Sequence, residues 1–504
     1  MKSNNSQNPT PAISIFKLFF MLTILVTFLA ISITYLIPQT DYIKIEHLNT
    51  TTNTPLNSQI SRIFGFNHSI SDPTQFSNST QFLNFTQPAL SKPYVGPHQC
   101  VLWMAPFISG GGYCSEAWSY ILALNRYNQD ANFTISIDQH GDNENLYFWE
   151  GLPTYMKTLA FELYETKCKL EETIVILHSE PGAWNQPLFQ TTPGPPFNTR
   201  FTIGRTMFET DRVTTEHVKQ CNAMDMVWVP TEFHVDSFVK SGVDPSKVVK
   251  VVQAIDTEFF DPNKYKPLKL ASLGNLVLGS GLTGVDTQNP FVFLSVFKWE
   301  YRKGWDVLLQ SYLREFDSLD KVNLYILTHP YHSGSNFGNK IVEFVEDFGL
   351  EKPINGWPAV YVIDSHIAQA DLPKLYKAAD AFVLPSRGEG WGRPIVEAMA
   401  VALPVIATNW SGPTEYLTEK NSYPLPVDRM SEVIDGPFKG HLWAEPSVDK
   451  LSFLMRHVLS NQEEAKSKGK KARDDMIDKY SPKIVAKVVS DQIHQIINKR
   501  YLSN

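Results

Sequence analysis

The sequence of 504 residues is poor in cysteine and has no long block of like charge. Its four cysteines, Cys100, Cys114, Cys168 and Cys221, form no C-x-x-C pair, so they do not predict a zinc site. The sequence does not decide between disulfides and buried free thiols, because four cysteines allow three pairings. The 45 basic and 52 acidic residues are dispersed, which gives no indication of nucleic-acid binding.

Charge is also missing from residues 18–37, a run of 20 mostly apolar residues that is long enough to span a bilayer. Polar residues follow this run where a cleaved signal peptide would carry small residues. Lys2 and Lys17 precede it, which favours a cytosolic N-terminus. We therefore expect a cytosolic tail at 1–17 and an uncleaved transmembrane signal anchor at 18–37.

Residues 38–95 are rich in Asn, Ser, Thr, Gln and Pro and show no sustained hydrophobic period, as is typical of a disordered stem. This segment contains glycosylation triplets at Asn49, Asn67, Asn78 and Asn84. Their crowding indicates exposure to the secretory lumen. Together, anchor and stem predict a single-pass type II protein of the Golgi or ER membrane, with its folded part in the lumen.

From Gln99 onwards, apolar runs alternate with amphipathic segments, and the pattern restarts after a Gly- and Pro-containing connection. Such alternation predicts parallel sheets covered by helices, and the length of the chain predicts more than one core. We expect an N-terminal Rossmann-like domain at 96–283, a second at 284–460, and C-terminal helices at 461–504. The last helical segment is able to return to the first domain.

Residues 385–410 read PSRGEGWGRPIVEAMAVALPVIATNW, which predicts a loop and a helix between two buried strands. Glu389 lies in the loop and Glu397 in the helix. Ligands bind at such strand ends, glycines let the backbone approach them, and helix N-termini favour anions. Carboxylates accept hydrogen bonds from sugar and ribose hydroxyls. Alternatively, Glu397 complements the helix dipole and Glu389 is a solvated loop charge.

Two further glycine-rich stretches are candidate phosphate sites. Gly110, Gly111 and Gly112 follow a predicted strand and open a helix, so they are able to pass close to a donor phosphate, although a tight turn is the alternative. The stretch GSGLTG at 279–284 is followed by no helix and is interpreted as an interdomain linker.

Several segments together resemble the retaining glycosyltransferases of family 4, which have the GT-B fold of two Rossmann-like domains with a cleft between them. They are the GEGWGRPIVEAM segment and FKWEYRKGWDVLLQSY, GRTMFETDR, VWVPTEFHVDSFVKSGV and VVQAIDTEFFDP. The resemblance covers about residues 99–460. It implies transfer of a sugar from a nucleotide-diphosphate sugar to an acceptor hydroxyl with retention of the anomeric configuration.

The resemblance also implies roles for the residues of the glycine loop. Glu397 would hold the hydroxyls of the nucleotide ribose, and Glu389 would hold those of the transferred sugar, which makes Glu389 a catalytic candidate. The backbone amides that would face the sugar belong to Gly390, Trp391 and Gly392.

By the same resemblance, Lys298 and Lys303 would grip the donor diphosphate, although the family usually has arginine at the first position. Two cations stabilise a leaving diphosphate without a metal, so neither a metal nor another cofactor is expected. His178 matches a histidine that faces the reacting sugar and is, like Lys303, a catalytic candidate, whereas a lone histidine there is more often structural. Glu180 and Asp142 are candidate acceptor contacts.

Two other functions compete with sugar transfer. Paired carboxylates also hydrolyse glycosides, but hydrolysis gives no role to glycine amides and a basic pair beside them. A non-catalytic lumenal sugar-binding or scaffold protein is the second alternative, because a fold does not establish an activity. The expected partners are a nucleotide-sugar donor, a glycan, glycoprotein or glycolipid acceptor, and the membrane through residues 18–37, but no nucleic acid.

Overall fold

The computed structural model describes residues 99–127, 133–185, 187–192, 194–280, 290–330 and 334–501, all within one compact unit. The predicted tail, signal anchor and stem lie outside the described residues, as does most of the GSGLTG stretch. Within the described ranges, none of the helices combines the length and apolar character that a bilayer crossing requires.

The first sheet has six parallel strands in the order β2-β1-β3-β4-β5-β6. Its strands are β1 (Gln99–Ala105), β2 (Phe133–Gln139), β3 (Thr173–His178), β4 (Phe201–Arg205), β5 (Met226–Val229) and β6 (Val248–Lys250). Its helices are α1 (Gly112–Tyr127), α2 (Leu146–Gly151), α3 (Thr154–Glu165), α4 (Thr215–Ala223) and α5 (Glu232–Ser241). Strand β3 is buried along its whole length, as expected for a strand covered on both faces.

The second sheet has seven strands in the order β13-β12-β11-β8-β9-β10-β7. Its strands are β7 (Asn275–Leu278), β8 (Phe291–Trp299), β9 (Val322–Pro330), β10 (Ala359–Ile363), β11 (Ala381–Leu384), β12 (Val405–Thr408) and β13 (Tyr423–Leu425). Its helices are α6 (Trp305–Glu315), α7 (Phe337–Asp347), α8 (Leu372–Tyr376) and α9 (Arg393–Ala400). One parallel sheet and one largely parallel sheet, both covered by helices, confirm the predicted pair of Rossmann-like folds.

The junction between the two domains differs from the predicted boundary at 283/284. Strand β7 precedes that boundary but pairs antiparallel with β10 of the second sheet, where Leu276 lies opposite Tyr361. A strand of four half-exposed residues has too short an apolar run to be distinguished from a connection by its sequence.

A β-hairpin stands outside both sheets and reaches the first domain. It consists of β14 (Val427–Glu432) and β15 (Leu442–Pro446). The backbone N–H of Leu442 donates to Asp211 Oδ1 at 2.7 Å, and the N–H of Asp211 donates to the Leu442 carbonyl at 2.9 Å. The Phe438 ring packs against Phe208, with centroids 5.2 Å apart. The hairpin therefore ties the two domains together.

The chain ends in three helices, α10 (Val448–Ser460), α11 (Gln462–Tyr480) and α12 (Pro482–Tyr501). Helix α12 packs against α1 of the first domain, and its His494 ring lies 5.7 Å from the ring of Phe133. This arrangement confirms that the last helix returns to the first domain. Seven short 3-10 turns complete the described structure, at Leu170–Glu172, Pro181–Ala183, Pro262–Lys264, Leu270–Ser272, Tyr301–Lys303, Gln369–Asp371 and Gly412–Glu415.

The cysteines divide between the two alternatives that their spacing left open. Cys100 of β1 is bonded to Cys168, which lies shortly before β3. Cys114 and Cys221 are buried free thiols, and burial raises the pKa of Cys114 to about 12. The unbonded thiols are therefore protonated at neutral pH and serve as small core residues.

Candidate active site

The glycine loop connects β11 to α9 at the carboxyl end of the second sheet. Helix α9 begins at Arg393, directly after Gly392, whose φ of 86° is left-handed, and Pro394 lies in the first turn. Strand β12 follows and pairs parallel with β11. The predicted strand-loop-helix-strand unit is thus confirmed, with Glu389 in the loop and Glu397 in the helix.

Glu389 is a buried carboxylate that is paired with a cation. Its side chain is 7% exposed, and Lys303 Nζ donates to Oε1 at 2.6 Å. Arg302 Nη1 lies 3.5 Å from Oε2. Burial alone would raise the pKa of Glu389, but Lys303 and Arg302 outweigh it and hold this pKa below its ordinary value. The loop therefore carries an ionised acid where a ligand would bind.

Arg302, which the sequence analysis missed, fixes the shape of the loop. Its Nε and Nη2 donate to the two oxygens of Glu300 at 3.0 and 3.1 Å, and its Nη1 donates to the Gly388 carbonyl at 2.7 Å. For Lys303, burial and the neighbouring Arg302 lower the pKa, while Glu389 opposes them. The segment RKG therefore supplies Arg302, which holds the loop in place, and Lys303, which pairs with Glu389, the predicted sugar-binding acid.

Lys298 occupies a different position from Lys303. It is the exposed penultimate residue of β8, within electrostatic reach of Asp142 of the first domain and His329 at the end of β9. In the described part of the chain, Arg302 and Lys303 are the cations that contact Glu389. A shared role of Lys298 and Lys303 at the diphosphate stays a prediction.

Glu397 keeps hydrogen-bonding capacity for a ligand. Tyr376 donates its hydroxyl to Oε2 at 2.9 Å, and Arg393 Nε lies 3.8 Å from Oε1. Burial raises the pKa of this carboxyl, with Arg393 opposing. A carboxylate offers about four lone-pair positions, so one firm hydrogen bond leaves room for a pair of hydroxyls.

Two glycines of the loop face the first domain. A Cβ on Gly388 would lie 2.0 Å from the carbonyl oxygen of Glu209, and one on Gly390 would lie 2.7 Å from Met207 Sδ. Only glycine permits this approach of segment 207–209 to the donor loop. Presentation of the Gly390 and Gly392 amides to a sugar stays a prediction.

Trp391 anchors the loop through its side chain. The indole is buried against the rings of Tyr416 and Tyr480, whose centroids lie 5.2 and 5.5 Å away. Tyr416 also hydrogen-bonds the Trp391 carbonyl. The residue predicted to offer a backbone amide thus also fills part of the core beneath the loop.

The glycines of the first domain lie where the sequence predicted them, between β1 and α1. Gly112 is the first residue of α1, and Gly111 donates its N–H to Ser109 Oγ at 3.1 Å. A Cβ on Gly111 would lie 3.3 Å from Asp142 Oδ2. A carboxylate therefore neighbours this helix N-terminus, and contact of Gly111 and Gly112 with a donor phosphate stays a prediction.

The other acidic candidate on the first domain, Glu180, follows β3. Its Oε1 lies 3.2 Å from His217 Nε2 on α4. Burial raises the pKa of Asp142, the nearby Glu180 raises it further, and Lys298 opposes them. The two candidate acceptor contacts are therefore close enough to influence one another.

His178 lies at the end of β3 but is fully buried, which differs from the expectation that it faces a sugar. Trp103 Nε1 donates to its Nδ1 at 3.1 Å, and its Nε2 lies 3.0 Å from Glu116 Oε2. Burial lowers the pKa of His178, while Glu116 opposes that shift. Because both ring nitrogens have neighbours inside the domain, this conformation leaves neither of them for a substrate.

Glu116 and Arg205 form a buried ion pair beside His178. Arg205 Nε donates to Glu116 Oε1 at 2.8 Å, and its Nη1 donates to the Val251 carbonyl at 2.7 Å. Burial would raise the pKa of Glu116, but Arg205 and His178 outweigh it and lower this pKa to about 2. No sequence signal links these residues, because each lies on a different element of the first domain.

The family match of this chain lies largely in the second domain. A family model described as glycosyl transferases group 1 matches residues 362–475, from the end of β10 into α11. Mannosylfructose-phosphate synthase of Agrobacterium fabrum is 27% identical over 160 residues, 30% of this chain and 32% of the relative. D-inositol 3-phosphate glycosyltransferase of Kineococcus radiotolerans is 29% identical over 175 residues, 34% of this chain and 36% of the relative. The matched region spans about a third of these relatives.

Solved structures share the architecture of both domains. Anabaena HepE, in complex with UDP and glucose, superposes with a TM-score of 0.53 at 13% identity, covering 79% of this chain and 100% of its own. Sucrose-phosphate synthase from Thermosynechococcus elongatus has a TM-score of 0.52 at 13% identity, covering 81% of this chain and 100% of its own. At this identity the likeness concerns the fold, which is GT-B.

Proposed function

We propose that this chain, which has the GT-B fold and matches the group 1 glycosyltransferases over residues 362–475, is a retaining glycosyltransferase of family 4. It moves a sugar from a nucleotide-diphosphate sugar to an acceptor hydroxyl. The observation that carries the proposal is the 2.6 Å contact between Lys303 and the buried Glu389. A cation and an ionised acid lie together there at the carboxyl end of a parallel sheet, where ligands of such folds bind.

The arrangement assigns each charged residue a step in the transfer. Lys303, with Lys298, stabilises negative charge on the departing diphosphate, which is the main electrostatic demand of the reaction. Glu389 accepts hydrogen bonds from the hydroxyls of the transferred sugar and stabilises positive charge at its anomeric carbon. Glu397 holds the ribose, which positions the donor but does not change during the reaction.

Nucleotide release from a panel of nucleotide sugars tests the proposed activity. UDP-glucose is the first donor to try, because a structural neighbour is a complex with UDP and glucose. We expect nucleotide release by the purified lumenal part, and loss of it in the Lys303→Ala variant. Saturable binding of a nucleotide sugar or glycan without turnover of any donor would instead favour the sugar-binding or scaffold alternative.

We expect catalysis to survive removal of divalent ions. The described residues include no group of three His, Cys, Asp or Glu side chains that could hold a metal, whereas Arg302 and Lys303 lie beside the donor loop. The test is the turnover number in excess chelator, with a manganese-dependent glycosyltransferase assayed in parallel. Complete loss of turnover that manganese or magnesium restores would contradict the metal-independent mechanism.

We further propose that residues 18–37 anchor the protein in the Golgi or ER membrane with the folded part in the lumen. The uncharged run of 20 residues and the glycosylation triplets support this topology. So does the Cys100–Cys168 disulfide, because such bonds persist in an oxidising compartment. Protease added to sealed vesicles should leave the large domain intact, and a glycosidase should reduce the mass of the protein. Digestion of the large domain from the cytosolic side would contradict the topology.

A further inference from the structure

Glu209 belongs to the first domain but lies against the donor loop of the second. It follows β4 in the segment that approaches Gly388 and Gly390, and its backbone carbonyl is the atom closest to a Cβ built on Gly388. Its Oε1 lies 3.7 Å from Arg302 Nη2, which is too long for a hydrogen bond. Among the described residues, a loose ion pair with Arg302 is therefore the contact that the Glu209 carboxylate makes across the cleft.

The carboxylate of Glu209 has unused hydrogen-bonding capacity. Its side chain is 36% exposed and accepts no hydrogen bond from any other described residue. Burial raises its pKa, Arg302 opposes this shift, and Glu389 and Glu300 add to it. Because the side chain is partly exposed, water hydrates the carboxylate in the free protein, and a ligand hydroxyl is able to take the place of that water as a hydrogen-bond donor.

The neighbouring charges restrict what this ligand is. The Tyr113 phenol lies within electrostatic reach of both Glu209 and Glu180, and Glu180 is within reach of Asp142. Three carboxylates of the first domain, those of Glu209, Glu180 and Asp142, therefore lie near Tyr113 or near one another. Carboxylates accept hydrogen bonds from hydroxyl groups and repel a phosphate that lies against them, and the nearby Arg302 guanidinium is already hydrogen-bonded to Glu300.

We propose that Glu209 is a specificity-determining residue of the acceptor site, where it accepts a hydrogen bond from a hydroxyl group of an uncharged sugar and disfavours phosphorylated acceptors. This inference rests on the proposed sugar transfer and deepens it. In the proposed transfer the donor lies against the second domain, so an acceptor hydroxyl approaches from the first domain, where the segment of Glu209 packs against the donor loop.

The test measures UDP release from UDP-glucose, or from the donor that the panel identifies, in water and with added acceptors. The acceptors are methyl glycosides of glucose, galactose, mannose and N-acetylglucosamine, each compared with its 6-phosphate. We expect neutral glycosides to stimulate release and the phosphates to do so at least tenfold less. Glu209→Gln should raise the KM for the best neutral acceptor about tenfold, a larger change than in the KM for the donor.

The matched control is Glu171→Gln, an exposed acid of the first domain in the turn before β3. It should change neither acceptor KM nor donor hydrolysis, and Glu209→Asp should restore part of the acceptor affinity. Three results would overturn the inference: an unchanged acceptor KM in Glu209→Gln, a preference for the phosphates, or no stimulation by any neutral glycoside. If the enzyme still hydrolyses the donor, the proposed function is retained in each of these cases. Absence of turnover with every donor would overturn both.

Discussion

Replacing Lys303 by alanine should lower kcat/KM for the donor about 30- to 1000-fold, or roughly 2–4 kcal/mol of transition-state stabilisation. The amine is largely buried and lies 2.6 Å from Glu389 Oε1. Its charge therefore acts in a site where little water screens it as the diphosphate departs. Steady-state kinetics with varied donor measure the effect directly.

A surface lysine provides the control for this substitution. Lys466 on α11 forms an ion pair with Glu463 at 2.9 Å on the exposed surface, where water and salt screen the charges. Lys466→Ala should leave kcat/KM unchanged. A small loss in Lys303→Ala that disappears at high salt would mean that Lys303 acts only as a surface charge and that another group neutralises the diphosphate.

The parts of the fold that follow from local periodicity could be predicted from the sequence. Strands such as β11 are short runs of buried apolar residues. The start of α9 is indicated by Gly392 and Pro394, which precede a run of good helix formers. These signals lie within a few residues of one another. They were sufficient to place Glu389 in a loop and Glu397 in a helix.

Elements that depend on distant neighbours could not be predicted in this way. Strand β4 was missed because its five residues include Gly204 and Arg205, which weaken the apolar signal. Arg205 is tolerated in the core only because Glu116, on α1, neutralises it. The hairpin of β14 and β15 was also missed, because its position depends on contacts with the distant first domain.

In the candidate site, too, some contacts could be predicted from the sequence and others could not. Glu389 and Lys303 were predicted to serve one ligand, and the structure brings them into contact. The role of Gly388 in admitting Glu209 could not be predicted, because the two residues are far apart in the chain and meet only where the two domains pack together. The glycines of the donor loop, which were predicted to bind a ligand, thus also form part of the surface that packs against the first domain.

The two acids of the donor loop should separate kinetically. We expect Glu389→Gln to lower mainly kcat and Glu397→Gln to raise mainly the donor KM, each about 10- to 100-fold, since a hydrogen bond to a charged group contributes about 1.5–3 kcal/mol. Glu389 would contact the sugar, whose anomeric carbon gains positive charge, so its contribution grows in the transition state. Glu397 would contact the ribose, which is the same before and during the reaction.

The environments of the two acids make the comparison possible. Glu397 has neutral Tyr376 as its hydrogen-bond donor, so glutamine keeps most of its surroundings, whereas glutamine at Glu389 removes the charge that Lys303 pairs with. Both substitutions preserve shape, and a thermal melt of each variant checks that the fold is retained. If Glu389→Gln leaves kcat within about twofold of the parent, roughly 0.4 kcal/mol on the transition-state scale, Glu389 does not act on the transferred sugar. In that case the loop between β11 and α9 binds only the nucleotide, and the sugar must be held by groups of the first domain.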